Sequence, residues 1–236
     1  MESSARETIA QRVQSVLSAI RSAAEKAGRR PDSIRLVAAT KTVTVDGIRD
    51  GIAAGLSILG ENRVQEALPK VETLAQAPVR WHFIGHLQRR KVRSIVGIFE
   101  LIHSVDSLEL AQEIDRRAGE AGQSQDILLE VNIGGETTKG GFHPDGLVQL
   151  VSTMAALSHI HIKGLMAIPP PTAEPESART HFVRLRELAG AIAAQRIPGV
   201  VMDELSMGMS NDYEIAVQEG ATLVRVGSAI FGARHA

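Results

Sequence analysis

Eight short apolar runs, at 34–40, 57–60, 81–85, 101–105, 126–133, 162–168, 201–207 and 223–227, recur along the chain with longer helix-like stretches between them, such as 107–121, 147–157 and 176–195. Strands that alternate with helices require crossover connections, and crossover connections make a parallel sheet. The core must be aliphatic, because 44% of the 236 residues are hydrophobic but only 3% are aromatic. Such a core suits parallel strands, which are buried on both faces and read as continuous β-branched runs. Eight strand–helix units close into a barrel, so the expected fold is α/β, a single (β/α)8 TIM barrel over 1–236. A six-stranded open sheet is the alternative if the weak runs at 57–60 and 101–105 are not strands.

Local signals support the element boundaries. An amphipathic helix is expected over 2–27, where Ile9, Val13, Val16, Leu17, Ile20 and Ala24 recur at helical spacing before Gly28 and Pro31. The chain stops soon after the eighth run, and this first helix is expected to cover the gap left in the outer ring. Asp46, Ser107 and Asn211 read as helix starts, Gly55 and Gly220 as stops. Pro169, Pro170 and Pro171 make a stiff loop after the sixth run.

Several function classes drop out. With no cysteine there is no disulfide, zinc-thiolate site or cysteine nucleophile. A formal net charge of −1 gives no electrostatic footprint for nucleic acid. The first thirty residues contain no apolar signal-peptide core, and no apolar stretch reaches the length of a membrane span. A cytoplasmic chain without membrane contact is therefore expected, and a monomer, since no exposed apolar heptad argues for assembly. His159 and His161 have no carboxylate or cysteine at companion spacing and are not expected to bind metal. Arg89, Arg90, Lys91 and Arg93 are expected on a solvated helix face.

In such a barrel, reactive groups sit where strands end and βα loops begin. Lys41 follows the first run, Asn62 the second, and His82 lies within the third. Met166 lies in the sixth; Ser206, Met209 and Ser210 follow the seventh; Arg225, Gly227 and Ser228 close the eighth. The loops after strands seven and eight commonly bind phosphate in this fold. Here Ser206, Ser210 and Ser228 offer hydroxyls, and Gly208 and Gly227 let backbone N–H groups approach an anion. Lys41 follows Leu36, Val37, Ala38 and Ala39, which would bury its base. A partly desolvated amine condenses with an aldehyde to a Schiff base. A strand lysine facing a phosphate cradle is the geometry that pyridoxal 5′-phosphate needs. Arg225, between Val224 and Val226, needs a buried acceptor, and the pyridine nitrogen of that cofactor would serve. An always-protonated guanidinium there keeps the nitrogen unprotonated and makes the ring a poor electron sink. His82 and Met166 are expected to line the barrel around the ring.

These same residues resemble the pyridoxal phosphate homeostasis proteins, also called the proline synthase co-transcribed family. The matching stretches are LVAATKT around Lys41, GENRVQEALPK from Gly60, WHFIGHLQ from Trp81, KGLMAIPP from Lys163, LSMGMSND from Leu205 and VRVGSAIFG from Val224. The resemblance implies the barrel of the alanine racemase N-terminal domain (fold type III) without that enzyme's second β domain. It implies that Lys41 carries the Schiff base, that Arg225 faces the pyridine nitrogen, and that Ser206, Gly227 and Ser228 touch the phosphate. Asn62, His82 and Met166 match residues around the ring. Two departures stand out. Val43 and Thr44 occupy a stretch where many members have a second lysine and a proline, and Arg90 replaces the usual asparagine after GHLQ.

The implied role is to bind and supply the cofactor in intracellular vitamin B6 homeostasis, without significant turnover. Expected partners are the cofactor, apo-enzymes that use it, and free amino acids whose amines exchange with the Schiff base. The alternative is a pyridoxal phosphate-dependent amino-acid racemase. Racemisation by two bases needs a proton donor on each face of the substrate. Lys41 supplies one, whereas the sole tyrosine, Tyr213, sits in the helix after strand seven. A more distant reading is a barrel enzyme acting on a phosphorylated metabolite without a cofactor.

Overall fold

A computed structural model describes residues 7–136 and 140–232; residues 2–6 of the expected first helix lie outside them. The sheet is a closed barrel of parallel strands in sequence order. These are β1 (Arg35–Ala39), β2 (Ile58–Glu61), β3 (Arg80–Phe83), β4 (Leu101–Val105), β5 (Gln125–Val131), β6 (Ile160–Ala167), β7 (Val200–Ser206) and β8 (Leu223–Val226). β1 closes the barrel on β8, with Val37 opposite Arg225 and Ala38 opposite Val226. The two weak runs are β2 and β4, so the open sheet is ruled out.

Helix α1 (Ile9–Lys26) precedes the barrel. The Gln11 amide donates to Thr8 Oγ1 and the Thr8 amide donates back to Gln11 Oε1, a reciprocal cap that fixes the first turn. The helix buries Val13, Val16, Ile20, Ala23 and Ala24, while Leu17 is exposed. It packs against α2 (Val45–Ala53), α7 (Tyr213–Gln218) and the four-residue α8 (Ser228–Phe231). The first helix thus covers the gap that so short an eighth helix leaves. The remaining helices are α3 (Val64–Thr73), α4 (Leu108–Glu120), α5 (Leu147–Met154) and α6 (Arg179–Ala194).

Three boundary expectations are corrected. Thr44, not Asp46, caps α2: its side chain accepts from the Gly47 amide, and Asp46 falls in the first turn. Asp212, not Asn211, is the residue at the start of α7. The basic cluster lies in a 3-10 turn, Arg89–Ser94, in place of an α-helix, with Arg89, Arg90 and Arg93 exposed. Ser107 does cap α4, accepting from the Leu110 amide at 3.4 Å.

Two packed layers follow from the strand alternation. Residues facing the helices form the larger core, and Val37, Ile58, Leu101, Leu128, Met166 and Leu223 form a separate cluster inside the barrel. Each such buried side chain contributes about 1.5–3 kcal/mol relative to exposure. Polar side chains share this interior: His82, His103, Ser206 and Arg225 are all buried. Among the described residues no helix is long and apolar enough to cross a membrane.

Candidate functional site

Lys41 is placed by what holds the end of β1, two residues before it. Thr40 is fully buried, and its hydroxyl donates to Glu61 Oε1 at 2.6 Å. Lys70 Nζ, reaching back from α3, donates to the same carboxylate oxygen and to the Thr40 carbonyl, each at 2.7 Å. The end of β1 is therefore pinned to the end of β2 immediately before Lys41, which is itself partly exposed. Immediately after it, Thr42 has φ +62°, a left-handed conformation rare for a β-branched residue, and its hydroxyl donates to the Lys41 carbonyl at 2.6 Å. Strain of this kind persists only where the surroundings impose it, and it clusters at functional sites.

Arg225 forms the floor. Its Nη1 donates to the Ser206 carbonyl at 2.8 Å and to Ser206 Oγ at 2.5 Å, and its Nη2 donates to the Ala167 carbonyl at 3.0 Å. These use three of the five N–H donors an arginine carries, leaving two for a further acceptor. Burial lowers the Arg225 pKa to about 10, opposed by the carboxylates of Glu130 and Asp212. The group stays cationic at neutral pH. Burial raises the carboxyl of Glu130, and Asp106 adds to the effect; burial also raises Asp212, against the hydrogen bond it accepts from the Met209 amide.

Ser210 and the turn after β8 make a second cluster of donors. The amides of Gly227 and Ala229 both point at Ser210 Oγ at 3.3 Å, and Ser228 is exposed beside them. A Cβ on Gly227 would lie 3.2 Å from the Ala39 carbonyl oxygen, so a glycine lets this turn approach the end of β1. Gly208 has φ +89°, and a Cβ there would meet Ala216 at 2.5 Å; only glycine turns the chain from β7 toward α7. Met209, in that turn, is exposed. Asn62, after β2, is half-buried, and its Oδ1 is buried without a donor.

The structure thus brings Lys41, Asn62, Ser210, Gly227 and Ser228 to the strand ends, with Arg225 and Met166 beneath. Ser206 closes β7, is fully buried, and its hydroxyl is engaged by Arg225 and by His103 Nδ1 at 2.8 Å. His82 is also fully buried, its Nδ1 2.9 Å from His103 Nε2. His103, on β4, is a residue that the sequence reading passed over. Burial holds both imidazoles below the ordinary histidine pKa, His103 well below it; Glu100 opposes the effect at His82, and the charges of His82 and Arg225 reinforce it at His103. His159 and His161 pair separately with Asp115 and Asp126.

The residues at the mouth fit a phosphorylated pyridine aldehyde by their donors: a primary amine, a cationic floor with N–H groups to spare, and converging amides and hydroxyls. Residues 11–235 match the family described as alanine racemase, N-terminal domain. A relative from Aquifex aeolicus named pyridoxal phosphate homeostasis protein is 46% identical over 224 residues, 95% of this chain and 97% of that protein. The chain belongs to the pyridoxal phosphate homeostasis protein family. A Pseudomonas aeruginosa protein of the same name is 43% identical over 227 residues, 96% of each chain. The solved structure of PipY from Synechococcus elongatus PCC7942, with pyridoxal phosphate bound, superimposes with a TM-score of 0.83 at 37% identity, over 95% of this chain and 100% of that one. The expected barrel and the expected family are therefore the observed ones.

Proposed function

We propose that this homeostasis-family chain binds pyridoxal 5′-phosphate as a Schiff base on Lys41 and serves intracellular vitamin B6 homeostasis without significant turnover. The observation that carries the reading is the adjacency of β1 and β8. With Val37 paired opposite Arg225, the turn after β1 that carries Lys41 follows the strand beside the one that carries Arg225. The Gly227 turn that follows β8 supplies the amides aimed at Ser210. In this reading Arg225 holds the pyridine nitrogen, and Ser210, Gly227 and Ser228 hold the phosphate. Asn62, Met166 and Met209 surround the ring, with His82 and Ser206 beneath it, and one domain carries the whole site. The cofactor supplies an aldehyde that bonds reversibly to amines. The chain's own part is to hold it, orient it and keep the ring nitrogen unprotonated. The proposed setting is the cytoplasm, where the partners are free amino acids and apo-enzymes that take up the cofactor. Membership of pyridoxal phosphate-bound PipY among the solved likenesses supports the ligand.

The racemase alternative has one observation in its favour, the match to the alanine racemase barrel. Against it, Tyr213 is buried in α7 and burial raises its pKa, so it offers no second base at the mouth.

The test is reduction with borohydride followed by peptide mapping. The purified protein is expected to show visible absorption from bound cofactor, and reduction is expected to fix the label on Lys41. A label found mainly on another lysine, or no cofactor uptake, overturns the reading.

A further inference from the structure

Between Arg225 and the opposite rim of the barrel runs a line of buried polar side chains that cofactor binding alone does not explain. Arg225 Nη1 meets Ser206 Oγ at 2.5 Å, Ser206 Oγ meets His103 Nδ1 at 2.8 Å, and His103 Nε2 meets His82 Nδ1 at 2.9 Å. His82 Nε2 then faces Glu100 Oε1 at 3.7 Å, just ahead of β4, where Glu100 is exposed. The two rings lie with centroids 5.0 Å apart. Ser206, His82 and His103 are each fully buried.

The ends of this line dictate its direction. Arginine only donates, and an ionised carboxylate only accepts. Because Arg225 donates into Ser206 Oγ, the serine's own proton is free to point at His103 Nδ1, and it does so when that nitrogen is bare. The His103 proton accordingly sits on Nε2 and is donated to His82 Nδ1. The His82 proton sits on its own Nε2, facing Glu100. The reverse order leaves a bare His82 nitrogen facing a carboxylate, acceptor against acceptor. This order makes all three hydrogen bonds with both imidazoles neutral, and it turns the one remaining proton, on a His82 Nε2 that has no hydrogen-bond partner, toward the carboxylate 3.7 Å away.

We propose that His103 and His82 are positioning residues for the cofactor ring, acting through Ser206 to hold the Arg225 guanidinium in one orientation as long as neither imidazole is protonated. The proposal rests on the cofactor reading of Arg225. Charged groups around the pair are Arg35 on β1, Arg80 on β3, Glu100 ahead of β4 and Arg225 on β8. Arg35 is paired with Glu204 of β7. From β2, β5 and β6 the interior receives apolar Ile58, Leu128 and Met166. Arg80 is itself paired with Glu100, and Glu130 and Asp212 act on Arg225; burial first, and the positive charges after it, disfavour an imidazolium at His103. A proton added at His103 Nδ1 would also turn the Ser206 hydroxyl away and leave it without its acceptor.

Two measurements test this, and the first needs no cofactor. Long-range proton–nitrogen correlation spectra of histidine-labelled, cofactor-free protein at neutral pH, assigned with His82→Phe and His103→Phe, should show both residues neutral with the proton on Nε2. A proton on Nδ1 of either, or an imidazolium, overturns the directed line. The second compares loaded proteins. His103→Phe should weaken cofactor binding by about tenfold, the cost of an ill-held charged hydrogen bond, and shift the visible band. His103→Asn, which restores an acceptor near the Nδ1 position, should recover most of both. A folded His103→Phe protein with unchanged spectrum and affinity overturns the positioning role, as does equal loss in the Asn and Phe variants. If His103→Phe does not fold, the wild-type tautomers and the His103→Asn comparison decide. Failure of the wild type to take up cofactor would instead sink the functional reading while leaving the tautomers measurable.

Discussion

Lys70 donates a 2.7 Å hydrogen bond to the carbonyl of Thr40, the residue before Lys41, while its other bond goes to the fully buried Glu61. The side chain of Lys70 is only 12% exposed, so this is a desolvated ion pair spanning β1, β2 and α3. Removing one partner strands the other's charge. Lys70→Met is expected to cost about 3–5 kcal/mol in denaturant unfolding, as for other broken buried pairs, whereas the double replacement Glu61→Leu with Lys70→Met should recover much of it. A single variant as stable as the wild type would show that the pair is not the clamp described.

Thr42 gives the opposite kind of prediction. Its φ of +62° suits glycine and strains a β-branched side chain. Thr42→Gly relieves about 1–2 kcal/mol of left-handed strain but adds about 0.5–1 kcal/mol of unfolded-state freedom. Unfolding midpoints should therefore stay level or rise slightly. Thr42→Pro, which locks φ near −65°, cannot adopt the native turn and should unfold more readily and lose cofactor. Clear destabilisation by glycine would mean that the threonine hydroxyl, donating to the Lys41 carbonyl, outweighs the strain.

What could be read in advance follows from the physics of a parallel barrel. β4 is legible as a strand because Leu101, Ile102 and Val105 make a short apolar run, and its bounds coincide with the expected run at 101–105. The role of His103 within it is not legible. Strands buried on both faces carry no inside–outside alternation in hydrophobicity, so nothing in the run distinguishes an inward histidine from an outward one. Spacing from Leu101, two residues earlier and inward-facing in the barrel, would have assigned it. Ser206 shows the same limit by one position: as the last residue of β7 it is interior, where one step further it would have been loop. Thr44 and Asp46 are both good caps, and only the observed Gly47 bond to Thr44 separates them. The glycines and serines after β7 and β8 were legible because turn chemistry is local.

Acid stability should report the two buried imidazoles. Both have folded-state pKa values below the ordinary 6.5, because burial disfavours the cation. As pH falls below about 6.5, the unfolded chain binds protons that the folded chain refuses, so stability is present above that pH and lost below it. The slope reaches about 1.4 kcal/mol per pH unit for each histidine kept neutral by the fold. Glu130 and Asp212, raised by burial, contribute with the opposite sign: their stabilisation is present at low pH and lost as pH rises through their folded values. Comparing cofactor-free wild type with His103→Phe separates the two. The variant should be less stable near neutrality yet fall off less steeply toward acid. Equal acid slopes would show that His103 titrates normally in the fold.

The last expectation is that amino acids exchange with the bound cofactor but are not turned over. Arg225 remains cationic with a pKa of about 10, so a pyridine nitrogen against it stays unprotonated and draws little charge from a substrate carbon. Tyr213, the one tyrosine of the chain, is buried within α7. It is thereby not poised as the second base that two-base racemisation requires on the far face. Typical enzymes turn over about 10 times per second, so even a far slower racemase is measurable. Single enantiomers of amino acids, incubated with loaded protein in deuterated water, should show no Cα exchange beyond that given by free pyridoxal phosphate, while an added apo-enzyme gains activity as cofactor leaves the barrel. Faster exchange that disappears in Lys41→Ala would establish the racemase reading instead. Arg225→Glu sharpens the contrast, because a carboxylate at that position favours a protonated ring nitrogen. If that variant folds and binds cofactor, Cα exchange should rise above the wild-type level, and an unchanged rate would mean that Arg225 does not set the electronic state of the ring.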